Sequence, residues 1–203
     1  MESKRNPMLK RLSVPVLRAF GPERGGALLE DADRRFEALC RENAEEPKAV
    51  KRLTHTDLYP TLALYQSVLA EGKLSRAEAA RFLYDARAEA AEPDAESLRK
   101  AMRIPGAYHL MPAAFRLMTH LKFGPKAGFR FHFYPVGFSR VKFDMLRCPY
   151  CEICGRYGCP ELVVAFCHTD DVTNERMHPR LHWHRTQTLG GGGEKCDFQL
   201  FIE

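Results

Sequence analysis

The spacing of apolar residues predicts helices from residue 8 to about residue 124. Leu58, Leu62, Tyr65 and Leu69 recur at four-three-four spacing, which places them along one side of a helix that ends at Gly72. A capping-box pattern, Ser75 with Glu78, then marks the start of the next helix. We expect that helix to stop before Pro93 and Asp94 to cap a short successor. A further helix before Gly124 is indicated by Leu110, Phe115, Met118 and Leu121.

The hydrophobic period changes from that of a helix to that of a strand after Gly128. Phe129, Phe131 and Phe133 alternate with polar residues, and a second alternating run follows at residues 141–145, so this stretch predicts a hairpin. Two short helices come next, the second ending near Cys167, and a loop then carries Asp170 and Asp171. Residues 181–186 and 196–202 alternate again and predict a final strand pair.

The predicted fold class is therefore α+β. A helical N-terminal region, residues 1–125, packs on a C-terminal antiparallel sheet, residues 126–203, whose elements follow the order ββααββ, and we expect one compact unit. Four glycines, Gly190 to Gly193, connect the last two strands. They permit either a positive φ or a close approach of the backbone, or they form a plain long loop.

Composition narrows the classes of function. The chain is 45% apolar and 28% charged, and its net charge of +5 comes from basic residues interleaved with acidic ones. No concentrated basic face or nucleic-acid module is present, which argues against a nucleic-acid partner. No run reaches the ~20 apolar residues of a membrane span, and no signal peptide is visible. We expect a cytoplasmic protein without a membrane partner; its oligomeric state is left open.

Seven cysteines in a chain without an export signal favour thiol chemistry or a metal over disulfides. Five of them lie between Arg147 and Asp171, and Cys148 and Cys159 each precede a proline. Because proline favours the first position of a helix, each pair predicts a helix start, where the helix dipole favours a thiolate. Cys148 is thus the leading candidate for a reactive or metal-binding sulfur. The alternative is that these cysteines are small buried hydrophobic residues.

The cysteine spacing allows two kinds of metal site. Cys148, Cys151, Cys154 and Cys159 follow a C-x2-C-x2-C-x4-C pattern, one residue longer than an iron–sulfur run, and a structural zinc is a similar option. We favour a site on residues that sequence separates, with Cys148, Cys167 and Cys196 as ligands. Three thiolates around zinc would leave a fourth position for water or substrate. Without a metal, Cys148 would be a nucleophile.

Two acids and a histidine follow Cys167 directly. Asp170 or Asp171 is predicted to take a proton from the attacking water, and His168 is the alternative base. Arg185 alternates with Leu181 and Trp183 on the predicted buried side of a strand, where a guanidinium needs an anion. It either binds the carboxylate of a substrate or pairs internally. The internal partners that we consider are Asp144 and Asp197.

Five short motifs resemble those of the L-2-amino-thiazoline-4-carboxylic acid hydrolase family. They are Cys-Pro-Tyr at 148–150, Gly-x-Pro-Glu-Leu at 158–162, Phe-Cys-x-x-Asp at 166–170, Arg-Thr-x-Thr-Leu at 185–189 and Gly-Gly-x-x-Cys-Asp-Phe at 192–198. The similarity runs from about Gly128 to Phe201. The last segment also resembles vinyl-reductase-type sensor domains, some of which hold zinc through cysteines near the equivalents of Cys167 and Cys196.

The hydrolase resemblance implies the hydrolytic opening of a small cyclic amidine-like thioether to a carbamoylated cysteine. The substrate would be a small molecule that carries a carboxylate, and we place Tyr150, Trp183 and Thr188 beside Arg185 around it. The sensor resemblance implies a module that binds a small molecule without catalysis and has a structural zinc. In that case Trp183 and the phenylalanines would line the ligand cavity.

Overall fold

The computed structural model describes residues 5–203, which form two compact units divided between Ala90 and Ala91. The first unit is helical. It contains α1 (Pro7–Phe20), α2 (Pro22–Glu42), α3 (Lys48–Leu53), a π-helix (Thr54–Leu58), α4 (Tyr59–Ala70) and the first part of α5 (Arg76–Met102). The predicted capping box starts α5, because Glu78 Oε2 accepts a hydrogen bond from the backbone N–H of Ser75 at 2.8 Å.

Helix α4 lies at the centre of the first unit. Of the four residues in its predicted stripe, Leu58, Leu62 and Tyr65 are buried and Leu69 is half-buried. The other sides of α4 are buried as well, including Thr61 and Ser67, whose hydroxyls donate to carbonyls four residues earlier. These intrahelical bonds satisfy polar groups that would otherwise be costly inside a core.

A buried ion pair joins two helical segments of the first unit. Arg87 of α5 is 3% exposed and donates to Asp57 Oδ1 at 2.8 Å and to Thr61 Oγ1 at 2.7 Å. Asp57 lies in the π-helix, which widens one turn of the chain between α3 and α4. A guanidinium this deeply buried depends on its carboxylate partner, because the unpaired charge would carry the full desolvation cost.

The predicted break at Pro93 is wrong. Helix α5 continues through Pro93 to Met102, so Asp94 lies inside the helix and does not cap a new one. Ala91 and Ala95, on either side of the proline, are 6% and 0% exposed. Burial of this alanine face, together with an ion pair between Arg99 and Glu92, offsets the hydrogen bond that proline removes.

The second unit contains the sheet. After α6 (Ala107–Lys122) and a 3₁₀ turn (Pro125–Ala127) come β1 (Arg130–Phe133), β2 (Arg140–Arg147), α7 (Pro149–Arg156), a 3₁₀ turn (Pro160–Leu162), α8 (Val163–Asn174), β3 (Leu181–His184), a 3₁₀ turn (Leu189–Gly191) and β4 (Cys196–Ile202). All strand pairs are antiparallel, in the spatial order β1-β2-β4-β3. The α+β class and the ββααββ order are confirmed.

Helix α6 covers part of this sheet. Its Phe115 ring lies 6.3 Å from the ring of Phe143 on β2 and 5.6 Å from that of Trp183 on β3. On its other side Leu110 and Leu121 are each 71% exposed, so α6 presents apolar side chains to solvent. Among residues 5–203, no helix has the length and apolar character needed to cross a bilayer.

The predicted end of the second helix near Cys167 is also wrong. Helix α8 continues to Asn174, so Asp170 and Asp171 are helical residues. Thr169, Thr173 and Asn174 resemble loop residues, yet each donates to a carbonyl four residues earlier. Their side chains therefore bond along the helix instead of competing with it.

Candidate functional site

The candidate site is a corner between α8 and the end of β3, within the second unit. Asp171 of α8 accepts a hydrogen bond at Oδ1 from Trp183 Nε1 at 3.0 Å and another at Oδ2 from Nη2 of Arg185. The same Nη2 donates to the carbonyl of Cys167 at 3.0 Å. Because α8 continues past Cys167, the carboxylate of Asp171 lies one helical turn beyond it, beside Arg185.

The second terminal nitrogen of the Arg185 guanidinium, Nη1, has different surroundings from Nη2. The side chain is 12% exposed, and its Nη1 is buried without a hydrogen-bond partner among residues 5–203. Oδ2 of Asp170 lies 3.9 Å from this nitrogen, beyond hydrogen-bond distance. A buried guanidinium nitrogen without an acceptor is costly, so this nitrogen is well suited to an anionic ligand.

Neither of the internal partners considered from the sequence pairs with Arg185. Asp144 instead binds Lys195 Nζ at 2.6 Å, and Asp197 accepts from the backbone of Thr186 at 2.9 Å. The sequence prediction missed Asp171 as the partner, since that residue was placed in a loop. A helical period carried four residues past Cys167 would have found it.

The two aspartates and His168 differ in their surroundings. The side chain of Asp170 is 47% exposed, whereas that of Asp171 is 24% exposed and holds both Trp183 and Arg185. His168 Nδ1 lies 4.0 Å from Asp171 Oδ2. Asp171 thus has the contacts of a positioning group, while Asp170 is the more accessible carboxylate.

Six cysteines of the second unit lie close enough to interact, chiefly as three pairs, and Cys148 also acts electrostatically on Cys154 and Cys196. The thiols of Cys148 and Cys151 are hydrogen-bonded, as are those of Cys154 and Cys159. Cys167 and Cys196 interact electrostatically. Cys154 and Cys159 are 0% and 2% exposed, whereas Cys148 and Cys151 are half-buried.

The Cys148 thiol is held in its protonated form. Its hydrogen bond to Cys151 raises its pKa most, and burial raises it further. The backbone N–H groups of Tyr150 and Cys151 lower the pKa, as expected at a helix start, but they do not outweigh the other two effects. The helix start therefore lowers the pKa of Cys148, as predicted. The neighbouring Cys151, which the sequence argument did not include, raises that pKa by more.

Cys167 and Cys196 are neutral thiols for a different reason. Burial is the main cause that raises the pKa of Cys167 to about 12 and that of Cys196 to about 11. The N–H of Leu189 points at the Cys196 sulfur at 3.2 Å. The third pair is thus enclosed by the turn that joins β3 to β4.

Gly190 allows that turn to pack directly on Cys167. A Cβ at Gly190 would lie 2.5 Å from Val163 Cγ1 and 2.8 Å from Cys167 Sγ, closer than carbon atoms in proteins approach. Gly192 has a φ of 87°, so both uses predicted for the glycine run occur, one at each residue. The close approach is to the cysteine of α8.

The predicted substrate-binding residues other than Arg185 have partners of their own. The Tyr150 ring lies 4.7 Å from that of Phe166, and the Trp183 ring stacks on Phe198 at 5.3 Å. Thr188 Oγ1 accepts from the N–H of Gly191 at 3.0 Å, and its hydroxyl hydrogen-bonds the Cys167 thiol. These contacts hold the three side chains in place around the corner.

The comparison with known families supports the same region. The family model for L-2-amino-thiazoline-4-carboxylic acid hydrolase matches residues 51–200. The chain belongs to this family. No curated protein and no solved structure matches the chain significantly. The hydrolase-family match includes all residues of the corner, from Cys148 to Cys196, and it extends into the first unit as far as α3.

A cavity of 460 Å³ borders the corner of this hydrolase-family protein. Its walls are formed by Glu175, Arg176, His178, Pro179, Leu181, His182 and Trp183. Trp183 is shared between the cavity and the corner, because its indole N–H binds Asp171. None of the cysteines and neither Asp170 nor Arg185 is among the residues that line the cavity.

No group of three or more His, Cys, Asp and Glu side chains in residues 5–203 is arranged to hold a metal ion. Cys167 and Cys196 form one pair and Cys148 belongs to another, although Cys148 also acts electrostatically on Cys196, and the three do not form a metal-binding group as they are arranged. Zinc at these residues stays a prediction of the cysteine spacing.

Proposed function

We propose that this protein hydrolyses a small cyclic amidine-like thioether that carries a carboxylate, a compound of the 2-amino-thiazoline-4-carboxylate type. The observation that carries this proposal is the guanidinium of Arg185, whose Nη2 is held by Asp171 and whose buried Nη1 has no hydrogen-bond partner among residues 5–203. The membership of the chain in the hydrolase family supports this class of substrate.

The substrate carboxylate would bind at Nη1 of Arg185. A carboxylate at a guanidinium makes short, charge-assisted hydrogen bonds, and a partly buried site strengthens them. Asp171 keeps the guanidinium fixed before the substrate arrives, which reduces the entropy lost on binding. Binding at one end of a small ring would then orient its amidine carbon toward the carboxylates of α8.

In the proposed reaction, water attacks the amidine carbon while Asp170 takes up its proton. Asp170 is favoured over Asp171 because its side chain is 47% exposed, whereas that of Asp171 is 24% exposed. His168, on the next turn, is the alternative base. Collapse of the adduct breaks one ring bond, the leaving sulfur or nitrogen takes a proton, and one water is consumed. The product is a carbamoylated cysteine.

Cys148 is the alternative nucleophile. Because its hydrogen bond to Cys151 and its burial raise the pKa of Cys148, a base would have to remove the thiol proton before attack. The proposal therefore assigns the attack to water. Measurable turnover by Cys148→Ser supports water as the nucleophile, and complete loss of turnover by a folded Cys148→Ser variant supports the cysteine.

The test is turnover of 2-amino-thiazoline-4-carboxylate, followed by thiol release and by mass spectrometry of the product. Arg185→Lys keeps the charge but loses the fork geometry, and the loss of one charge-assisted hydrogen bond of about 1.5–3 kcal/mol predicts a fall of about 10- to 150-fold in kcat/KM. The matched control is Arg180→Lys, an exposed arginine that donates to the carbonyl of Glu203. It should retain turnover.

Asp170→Asn tests the base. Loss of a general base lowers kcat by about 10²–10⁴-fold, whereas full activity in both Asp170→Asn and Asp171→Asn would remove these carboxylates from the mechanism. Absence of turnover on this compound and on related cyclic amides would contradict the hydrolase proposal. If an uncharged aromatic ligand then bound tightly and quenched Trp183 fluorescence, the sensor function would replace it.

A further inference from the structure

We propose that Cys148 and Cys151 form a redox-active dithiol that exchanges with low-molecular-weight disulfides such as oxidised glutathione. This inference does not rest on the proposed hydrolysis. It concerns the sequence Cys148-Pro-Tyr-Cys151, which begins α7, and it assigns a function to Cys151 that the hydrolase chemistry does not use.

The two cysteines occupy the first turn of a helix. Cys148 is the N-cap residue of α7, Pro149 is the first helical residue, and the N–H of Cys151 donates to the carbonyl of Cys148 at 3.1 Å. A Cys-x-x-Cys sequence at the N-terminus of a helix is the arrangement in which thiol–disulfide oxidoreductases hold their reactive pair. The backbone N–H groups of this turn lower the pKa of Cys148, but the hydrogen bond to Cys151 and burial outweigh them, so exchange starts from the minor thiolate form of the pair.

The two side chains are neighbours on the first turn of α7. The Cys148 thiol hydrogen-bonds to Cys151, and the backbone N–H of Cys151 donates to the carbonyl of Cys148 at 3.1 Å. Both residues are half-buried, which leaves a path for a small disulfide.

The pair of Cys154 and Cys159 provides an internal comparison. Its thiols are also hydrogen-bonded, but the residues are 0% and 2% exposed. Exchange requires in-line approach of a disulfide to the attacking sulfur. The thiols of Cys154 and Cys159 contact each other, but a disulfide in solution cannot reach them. We therefore expect reactivity at Cys148 and Cys151 and none at Cys154 and Cys159 in the folded protein.

The exchange is balanced in atoms and electrons. A thiolate of the pair attacks one sulfur of oxidised glutathione and releases one glutathione thiolate, which takes up the proton that the pair lost. The second cysteine then attacks the mixed disulfide and releases the second glutathione. The two protein thiols lose two electrons and two protons to form one disulfide bond, and the glutathione disulfide is reduced to two thiols.

The sequence makes the product easy to recognise. Trypsin cleaves after Arg147 and Arg156, so Cys148, Cys151 and Cys154 share the peptide 148–156, while Cys159 and Cys167 lie in the peptide 157–176. The full-length reduced protein is equilibrated with mixtures of reduced and oxidised glutathione, quenched with acid, alkylated in denaturant with N-ethylmaleimide and digested. Circular dichroism at each mixture reports whether the protein is still folded.

The expected product is peptide 148–156 with one internal disulfide and one alkylated cysteine, Cys154, and reduced glutathione should reverse it. Cys154→Ser should form the same disulfide. Cys151→Ser should lose it and carry a single glutathione on Cys148. The inference is overturned if Cys148 and Cys151 remain alkylated in every mixture, if the disulfide joins the two peptides, if Cys151→Ser retains an internal disulfide, or if oxidation occurs only after the fold is lost.

Discussion

Replacement of Gly190 by alanine tests the packing around Cys167 most directly. The new Cβ would lie 2.5 Å from Val163 Cγ1, 3.3 Å from Val163 Cβ and 2.8 Å from Cys167 Sγ. Val163 is 2% exposed and its β-branched side chain is stiff, so it cannot rotate away. The turn Leu189–Gly191 must therefore move away from α8.

The expected cost follows from three contributions. Overpacking of a core by one carbon costs about 1–3 kcal/mol. Movement of the turn also weakens the contact of the Leu189 N–H with Cys196 Sγ, worth about 0.5–1.5 kcal/mol. The loss of glycine freedom in the unfolded chain returns about 0.4–1 kcal/mol. The net expectation is a free energy of unfolding lower by about 0.5–4 kcal/mol, with a central value of about 2 kcal/mol.

Urea denaturation followed by tryptophan fluorescence reports unfolding of the second structural unit, which contains Gly190, because Trp183 in that unit is the only tryptophan in the sequence. With a urea slope of about 1–3 kcal/mol/M, the midpoint should fall by about 1 M. Gly155→Ala is the matched control, since a Cβ there meets nothing within 4 Å inside α7. It should raise stability by about 0.5–1 kcal/mol. Equal midpoints for the two variants would refute the close approach of Gly190 to Cys167.

Three further measurements check separate parts of the structure. Because burial raises the pKa of Cys167 to about 12 from an ordinary 9.0, iodoacetamide at pH 8 should modify it about a thousandfold more slowly in the folded than in the unfolded protein. The stability that this neutral thiol contributes is present below about pH 9 and is lost as the pH rises toward 12. Asp57→Ala should lower the free energy of unfolding of the first unit by about 3 kcal/mol, judged by circular dichroism, because the buried guanidinium of Arg87 loses the carboxylate of Asp57. Asp85→Ala, which removes an exposed ion pair with Arg81, should cost at most about 0.5 kcal/mol. Metal analysis of protein purified without a histidine tag checks the zinc prediction, which one equivalent would support and a trace amount would refute.

The division into helices and a four-stranded sheet was predictable because periodicity reports burial directly. The change of period after Gly128 matches the start of β1 at Arg130, and the alternation of residues 196–202 matches β4. Local rules failed where a packed face overrode them. Pro93 lies inside α5 because the alanines around it are buried, and α8 passes through the polar residues after Cys167.

Three of the residues predicted for the site, Arg185, Asp171 and Trp183, meet in the structure, although their contacts were not predicted. Which acid pairs with Arg185 depends on which side chains of α8 face β3. That could not be predicted while the helix was expected to end near Cys167. The pairing of the cysteines depends on which thiols meet in three dimensions, and the spacing of cysteines along a chain does not determine that.

The position of β4 has a consequence for synthesis of the chain. β4 lies between β2 and β3 in the sheet and pairs with both, although it is the last of the four strands in sequence. While the chain is emerging from the ribosome, β3 has no neighbouring strand, and β2 has only β1, until residues 196–202 appear. The helices of the first unit make mostly local contacts and can fold earlier. Assembly of the sheet therefore waits for its final strand, and until then its apolar strand faces are exposed to chaperones and to aggregation.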